Sequence, residues 1–318
     1  MNPCHICRKP LTEDSFTLKE QYFGTNEEFP YKQCPYCECI QIIDIPSDMG
    51  KYYPEHYYSK KVKKHYRNNI FLSKFRSVRL NAALHSSPLS YILTKPKLPR
   101  WIAFTDLNSR SRILDVGCGS GQKLLNMRKK GFHHLEGIEP FIQQDIHYTN
   151  GVVVHKCELT SLAARSDKQG YFDLIMMHHS LEHTPDQHAT LKAAYQLLSS
   201  NGKLLIRIPI CSSYAWDHYR ENWVQLDVPR HLYTHSRKSI ELLAANHGFQ
   251  GYQTYYDSNE FQFTGSERYL KGVSLVDGPD DKYFSPEEIQ EFKKKASKLN
   301  REGRGDQAVF NFSRNQNN

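Results

Sequence analysis

Arg112-Ile-Leu-Asp115-Val-Gly117-Cys118-Gly119-Ser-Gly121 decides the fold. A short apolar run stops in glycines, and Lys123 to Lys130 then reads as a helix with Gly131 at its C-cap. A strand that turns through glycines into a helix lets its backbone approach a ligand and offers the free N–H groups of a helix N-terminus. The spacing is G-x-G-x-G followed by Gln122, which differs from the G-x-G-x-x-G of a dinucleotide loop. Asp115, two residues before the first glycine, is placed to meet a cationic group. Glu139 ends the next apolar run about 20 residues on, where an acid takes ribose hydroxyls.

Outward from this turn the pattern repeats. Leu135–Ile138, Val152–His155, Leu174–Met177 and Lys203–Ile208 are short runs, apolar on both faces, as in a buried parallel sheet. Between them lie helix signals. Thr184-Pro185-Asp186-Gln187 reads as a capping box with proline at the first helical position, and Asn201-Gly202 as the end of that helix. Ser236 to His247 is a second helix, ending at Gly248. The alternation predicts a doubly wound α/β sheet with right-handed crossovers. Ser285-Pro286-Glu287-Glu288 opens a helix to about Leu299. Gly251–Asp257 and Gln307–Ser313 read as a strand pair split by a long insertion, of the kind that lids or lines a site.

Composition divides the 318 residues into 1–46, 47–107, a core at 108–257, an insertion at 258–304 with a helix at 285–299, and a last strand and tail at 305–318. Mean hydropathy is −0.67 and 39% of residues are hydrophobic, enough for a core and too much for wholesale disorder, with only Asn315 to Asn318 reading as frayed. No apolar run approaches the ~20 residues that cross a bilayer, and Met1 to Arg8 is no signal peptide, so a cytoplasmic location is expected. There the eight cysteines are thiols or metal ligands rather than disulfides. Cys4-His-Ile-Cys7 and Cys34-Pro-Tyr-Cys37 are two C-x2-C knuckles that suit a structural zinc in a small ribbon-like module. Cys39 is a spare, and a four-sulfur site leaves no open position for catalysis. Cys118, Cys157 and Cys211 read as buried small residues.

The net charge is +8, and His56 to Thr105 has no acidic residue. That stretch, a basic and aromatic helical linker, holds Lys60, Lys61, Lys63, Lys64, Arg67, Lys74, Arg76, Arg79, Lys95, Lys97 and Arg100. It is either a solvated surface or a face for an anionic partner.

Asp115 to Gly121, Glu139 and Phe172-Asp-Leu-Ile-Met-Met-His178-His179-Ser-Leu-Glu182-His183 resemble the class I S-adenosylmethionine-dependent methyltransferases. The resemblance covers roughly residues 112–249. Its nearest flavour is the H-x-L-E-H subgroup of polysaccharide and secondary-metabolite pathways, with Trp223-Val-Gln-Leu-Asp227-Val-Pro-Arg230-His231 as a second matching piece. A cysteine-rich module ahead of such a core is similar to sugar C-methyltransferases. The resemblance implies a Rossmann-like, seven-stranded, mostly parallel sheet with an antiparallel last strand. It implies that Gly117, Cys118, Gly119 and Gly121 cradle the methionyl part of the cofactor and that Asp115 faces its ammonium. Glu139 would take the ribose, Glu158 would lie near the adenine, and His178 and His179 would line the methyl-donor pocket.

Methyl transfer needs the acceptor positioned and its proton removed, and a histidine has a proton affinity in the working range. His183 and His231 are the candidate bases, with Glu182 and Asp227 as alternatives or as groups that orient them. Tyr52, Tyr53, Tyr57 and Tyr58 either pack on cofactor or sugar or fill a domain contact. The expected acceptor is a sugar, nucleotide-sugar or other small metabolite or glycan, and one with negative charge suits the basic excess. An RNA methyltransferase, gripping RNA with the zinc module and the basic segment, is a second reading, disfavoured because His178-His-Ser-Leu181 replaces the [DNS]-P-P-[YF] element of exocyclic-amine methyltransferases. A non-catalytic binding protein is a third.

Overall fold

The computed structural model describes residues 3–53, 70–84 and 98–315. Strands β1 (Phe16–Lys19), β2 (Glu28–Gln33) and β3 (Ile40–Ile42) come first, then helix α1 (Ile70–Leu84). The core opens with β4 (Arg112–Val116), α2 (Gln122–Lys130), β5 (His134–Ile138), β6 (Ile146–His147), β7 (Val153–His155) and α3 (Leu159–Ala163). It continues with β8 (Phe172–His178), α4 (Gln187–Leu197), β9 (Leu198–Pro209), α5 (Tyr214–Tyr219), β10 (Tyr233–Thr234) and α6 (Arg237–Ala245). β11 (Phe249–Tyr256), α7 (Phe261–Leu270), α8 (Pro286–Arg301) and β12 (Gln307–Arg314) complete it.

Among the described residues the main sheet runs β11-β12-β9-β8-β4-β5-β7-β6. The β4–β5, β4–β8, β5–β7 and β8–β9 pairs are parallel, while β12 runs antiparallel between β9 and β11. The expected antiparallel last strand is therefore present, with Tyr256 opposite Ala308. Seven strands were expected and eight are found. The extra one is β6, two residues paired antiparallel to β7 at the sheet edge and too short to show a period in the sequence. Both faces of the central strands are buried, as the apolar runs require. Leu114, Ile175, Met177 and Leu204 pack in one cluster with the α4 side chains, and Ile113, Leu174, Met176 and Leu205 in the other with those of α2.

The helix ends show which local signals prevail. Gly131 caps α2 at φ 115°, the Ser236 side chain caps α6, and Ser285 with Glu288 forms a complete capping box on α8, which runs on to Arg301. The Thr184 box is not used. The N-cap of α4 is Asp186, whose side chain accepts from Ala189 N–H, and Thr184 Oγ1 donates instead to the Ser180 carbonyl. Asn201-Gly202 does not end α4 either; the helix stops at Leu197 and these residues lie within β9. A Cβ on Gly202 would stand 2.8 Å from Leu198 Cδ2, so the glycine serves close packing there.

The N-terminal strands form a second sheet, β1-β2-β3-β10, whose fourth strand comes from the core. Of the 47–107 stretch, α1 and two 3-10 turns, Met49–Tyr52 and Arg100–Phe104, are described; Tyr57, Tyr58, Lys60, Lys61, Lys63, Lys64, Arg67, Lys95 and Lys97 lie outside the described residues. Among the described residues no helix is long and apolar enough to cross a membrane.

Candidate active site

The glycine turn sits at the carboxyl end of β4, where ligands bind open α/β sheets. Gly117, Gly119 and Gly121 have φ of 68°, 54° and 78°, a conformation that side-chain-bearing residues resist. Space is equally tight. A Cβ on Gly117 would lie 2.6 Å from Ser180 Cβ, and one on Gly121 2.8 Å from Val154 Cγ2. The Gly119 N–H donates to Glu139 Oε2 at 3.0 Å, and Phe141 N–H donates to Oε1 at 3.2 Å. Two backbone donors thus fix a half-buried carboxylate that keeps lone pairs for hydroxyl groups. Cys118 is half-buried beside Gly137, whose Cβ would meet its sulfur at 2.4 Å.

Asp115 is 2% exposed and its Oδ2 has no hydrogen-bond partner. Burial raises its proton affinity to about 6, opposed by the charge of Lys123. A buried acid left short of a partner asks for a cationic donor. The arrangement fits S-adenosylmethionine: an orphaned acid for an ammonium, a glycine cradle for the methionyl chain, and a fixed acid for ribose. Glu158 is exposed at the N-cap of α3, with Thr160 Oγ1 3.5 Å from its Oε2.

A second cluster follows β8. Glu182, His183 and His231 present side-chain atoms within 4.8 Å of one another. The His183 and His231 rings stand 4.7 Å apart, edge to face. His183 Nδ1 is 2.8 Å from the Arg230 carbonyl oxygen, which can only accept, so the proton sits on Nδ1 and the lone pair on Nε2. His231 Nδ1 donates likewise to the Gln225 carbonyl at 2.8 Å. Its Nε2 faces Glu182 Oε1 at 3.9 Å and Asp227 Oδ2 at 3.8 Å.

The two histidines differ in environment. His231 is buried, and desolvation together with His183 drives its proton affinity down to about 4. His183 is half-buried, and the Tyr53 hydroxyl lies 3.2 Å from its Nδ1. Glu182 is 1% exposed and neither oxygen completes an aligned hydrogen bond among the described residues. Burial works against its charge, but His179 Nδ1 at 3.3 Å and the neighbouring histidines hold it at about 2. It is therefore a carboxylate at neutral pH.

His179 has both ring nitrogens directed at protein groups, Nδ1 toward Glu182 and Nε2 accepting from Arg207 at 2.7 Å. His178 is the reverse: buried, with both nitrogens unpartnered, and lying 5.3 Å from the Trp101 ring. Asp227 is gripped by Arg230, whose Nη2 and Nε reach Oδ1 at 2.6 and 3.0 Å and hold the acid below its ordinary range against the effect of burial. Arg230 is fully buried and also meets Glu20 Oε1 at 3.3 Å. No sequence spacing joins Glu20 to Arg230, so this support could not be read from the chain.

In the turns beside the N-terminal sheet Cys4 Sγ lies 3.6 Å from Cys37 Sγ, and Cys7 Sγ 3.5 Å from Cys34 Sγ. All four sulfurs fall within 4.8 Å of one another. Tetrahedral zinc with bonds of about 2.3 Å separates its sulfurs by about 3.8 Å, so the donor set fits that ion.

A family model described as a methyltransferase domain matches residues 93–254. The ubiquinone biosynthesis O-methyltransferase of Shewanella sp. (strain ANA-3) is 30% identical over 95 residues, 29% of this chain and 40% of that protein. Its counterpart in Aeromonas salmonicida (strain A449) is 31% identical over 100 residues, 30% of this chain and 42% of the relative. The chain thus spans less than half the length of these curated relatives. Among solved structures, a SAM-dependent methyltransferase of Thermotoga maritima, described as a possible histamine N-methyltransferase, matches 76% of this chain and 91% of its own. Its TM-score is 0.43 at 17% identity.

Proposed function

The chain belongs to the methyltransferase-domain family, and from that premise we propose that it transfers a methyl group from S-adenosylmethionine to a small acceptor, a sugar, nucleotide-sugar or similar metabolite, with His183 as general base. The observation that carries this reading is the pairing of two sites on adjacent strands. Asp115 with an orphaned oxygen ends β4 beneath the glycine turn, and the Glu182–His183–His231 cluster follows β8.

The cofactor supplies a methyl group already activated on a sulfonium. Gly117, Gly119 and Gly121 would hold its amino-acid end, Asp115 its ammonium and Glu139 its ribose. Cys118 fills the floor of the turn, and Glu158 stands on the exposed adenine side. His178, not His179, is the histidine free to meet ligand. His183 takes the acceptor proton on Nε2 while Nδ1–H stays on the Arg230 carbonyl. Its imidazolium is stabilised by the Glu182 carboxylate. His231, held near pKa 4, is too weak a base at neutral pH and serves as a packing and orienting neighbour. Asp227 is committed to Arg230 and shapes the loop that presents His231.

We further propose one structural zinc on Cys4, Cys7, Cys34 and Cys37, supported by the convergence of the four sulfurs. The test of function is a binding and turnover pair. Gly119→Arg should abolish binding of S-adenosylhomocysteine, while His183→Ala should spare binding and slow transfer to any acceptor found by substrate screening. Equal loss of binding in both variants would refute this division of roles.

A further inference from the structure

The cofactor reading leaves a cavity at the carboxyl ends of β8 and β9 without a task. It encloses about 280 Å³ and is lined by Arg100, Trp101, Lys123, His178, Arg207 and Asp257, among others. Its charges are unbalanced. Asp257 is already satisfied by Arg207 Nε at 2.7 Å and by Gln307 Nε2 at 2.8 Å. Arg100 lies over the Tyr255 ring at 4.8 Å, and burial pulls the Lys123 ammonium below its ordinary range while Asp115 opposes the shift; among the described residues neither has an ion pair within 4.0 Å. His178, buried and with both ring nitrogens unpartnered, lines the same space. A neutral imidazole carries one N–H, so a donor and two cations converge on a void. That is the chemistry of an anion site.

Position decides which ligand fills it. The glycine turn and Glu139 end β4 and β5, whereas the cavity lies mainly over β8, β9 and β11 and meets the start of α2 through Lys123 alone. Glu182 and His183, which face the acceptor in the reading above, follow β8. We propose that this cavity binds an acidic group, carboxylate or phosphate, carried by the acceptor. The proposal rests on the methyltransferase reading and narrows its substrate class to small anionic molecules; a phosphorylated or nucleotide-linked sugar and a carboxylated metabolite both satisfy it.

Pyrophosphate is the probe. It is titrated calorimetrically at constant ionic strength into the full chain, with and without saturating S-adenosylhomocysteine. The wild type should bind one pyrophosphate in both conditions. Arg100→Gln, at an exposed residue, and Lys123→Met, which keeps the aliphatic stem, should each weaken it about tenfold. His178→Gln should weaken it less, and S-adenosylhomocysteine affinity should stay within about twofold in Arg100→Gln and Lys123→Met. Unchanged pyrophosphate affinity in the variants would overturn the proposal, since binding would then be diffuse attraction to a basic chain. So would exclusion of pyrophosphate by S-adenosylhomocysteine together with a tenfold loss of cofactor affinity in Lys123→Met, which would give the cavity to the cofactor's own carboxylate. Failure of the wild type to bind S-adenosylhomocysteine at all would sink the methyltransferase reading separately, and the cofactor-free titration would still decide the anion site.

Discussion

At the scale of single residues, burial separates groups that are chemically alike. His183 and His231 both donate Nδ1–H to a backbone carbonyl, yet only His231 is fully desolvated and driven to about 4. His183→Ala should therefore lower turnover by about 10²–10⁴ with cofactor affinity unchanged, as expected for loss of a general base. Steady-state kinetics beside calorimetry would check it. Asp115 and Glu182 are a similar pair, both buried, one raised to about 6 and the other held at about 2. Because Asp115 binds its proton more tightly folded than unfolded, it contributes stability below about pH 4 that is lost as pH rises through 6. Asp115→Asn should match wild type near pH 4 and exceed it by about 3 kcal/mol at pH 7–8 in urea unfolding. Cofactor affinity should move the other way: in wild type it should rise from pH 5 to 7 as the carboxylate forms, and in Asp115→Asn it should be weak and flat. A wild-type affinity independent of pH would remove the ammonium from Asp115.

At the scale of elements, what was legible was what short windows determine. The glycine turn, the capping box at Ser285, the cap at Ser236 and the β11–β12 pair all rest on contacts between neighbours in sequence or on strong apolar runs. The cap of α4 is ambiguous in the sequence because Thr184, Pro185 and Asp186 all suit a helix start, and only the contact from Thr184 to Ser180 decides among them. Asp186→Ala should cost about 1 kcal/mol, and Thr184→Ala less. Thermal unfolding of both would check the order, and the reverse order would place the cap at Thr184. Strand β10 was illegible for another reason. Two residues carry no pattern, and their partner Ile40–Gln41 lies almost 200 positions away. The same holds for Glu20 and Arg230, joined only by the fold.

At the scale of the molecule, the N-terminal sheet is structurally continuous with the candidate base. Tyr31 OH donates to the His231 carbonyl at 3.1 Å, Ile42 N–H to the Leu232 carbonyl at 3.0 Å, and Leu232 N–H to the Glu182 carbonyl at 2.9 Å. Small sheets of this size lean on a metal for stability. Metal analysis should find about one zinc per chain, lost in Cys34→Ser/Cys37→Ser. Its removal should lower turnover more than cofactor affinity, because the cofactor cradle on β4 and β5 does not use these contacts. A folded, fully active, zinc-free wild type would refute the coupling. The most direct test of the central claim, that the β4 turn is a cofactor site, is calorimetric titration of zinc-loaded protein with S-adenosylmethionine and S-adenosylhomocysteine. Micromolar binding, about −8 kcal/mol, is the expected result, abolished by Gly119→Arg. Absence of binding in a folded, zinc-loaded sample would contradict it.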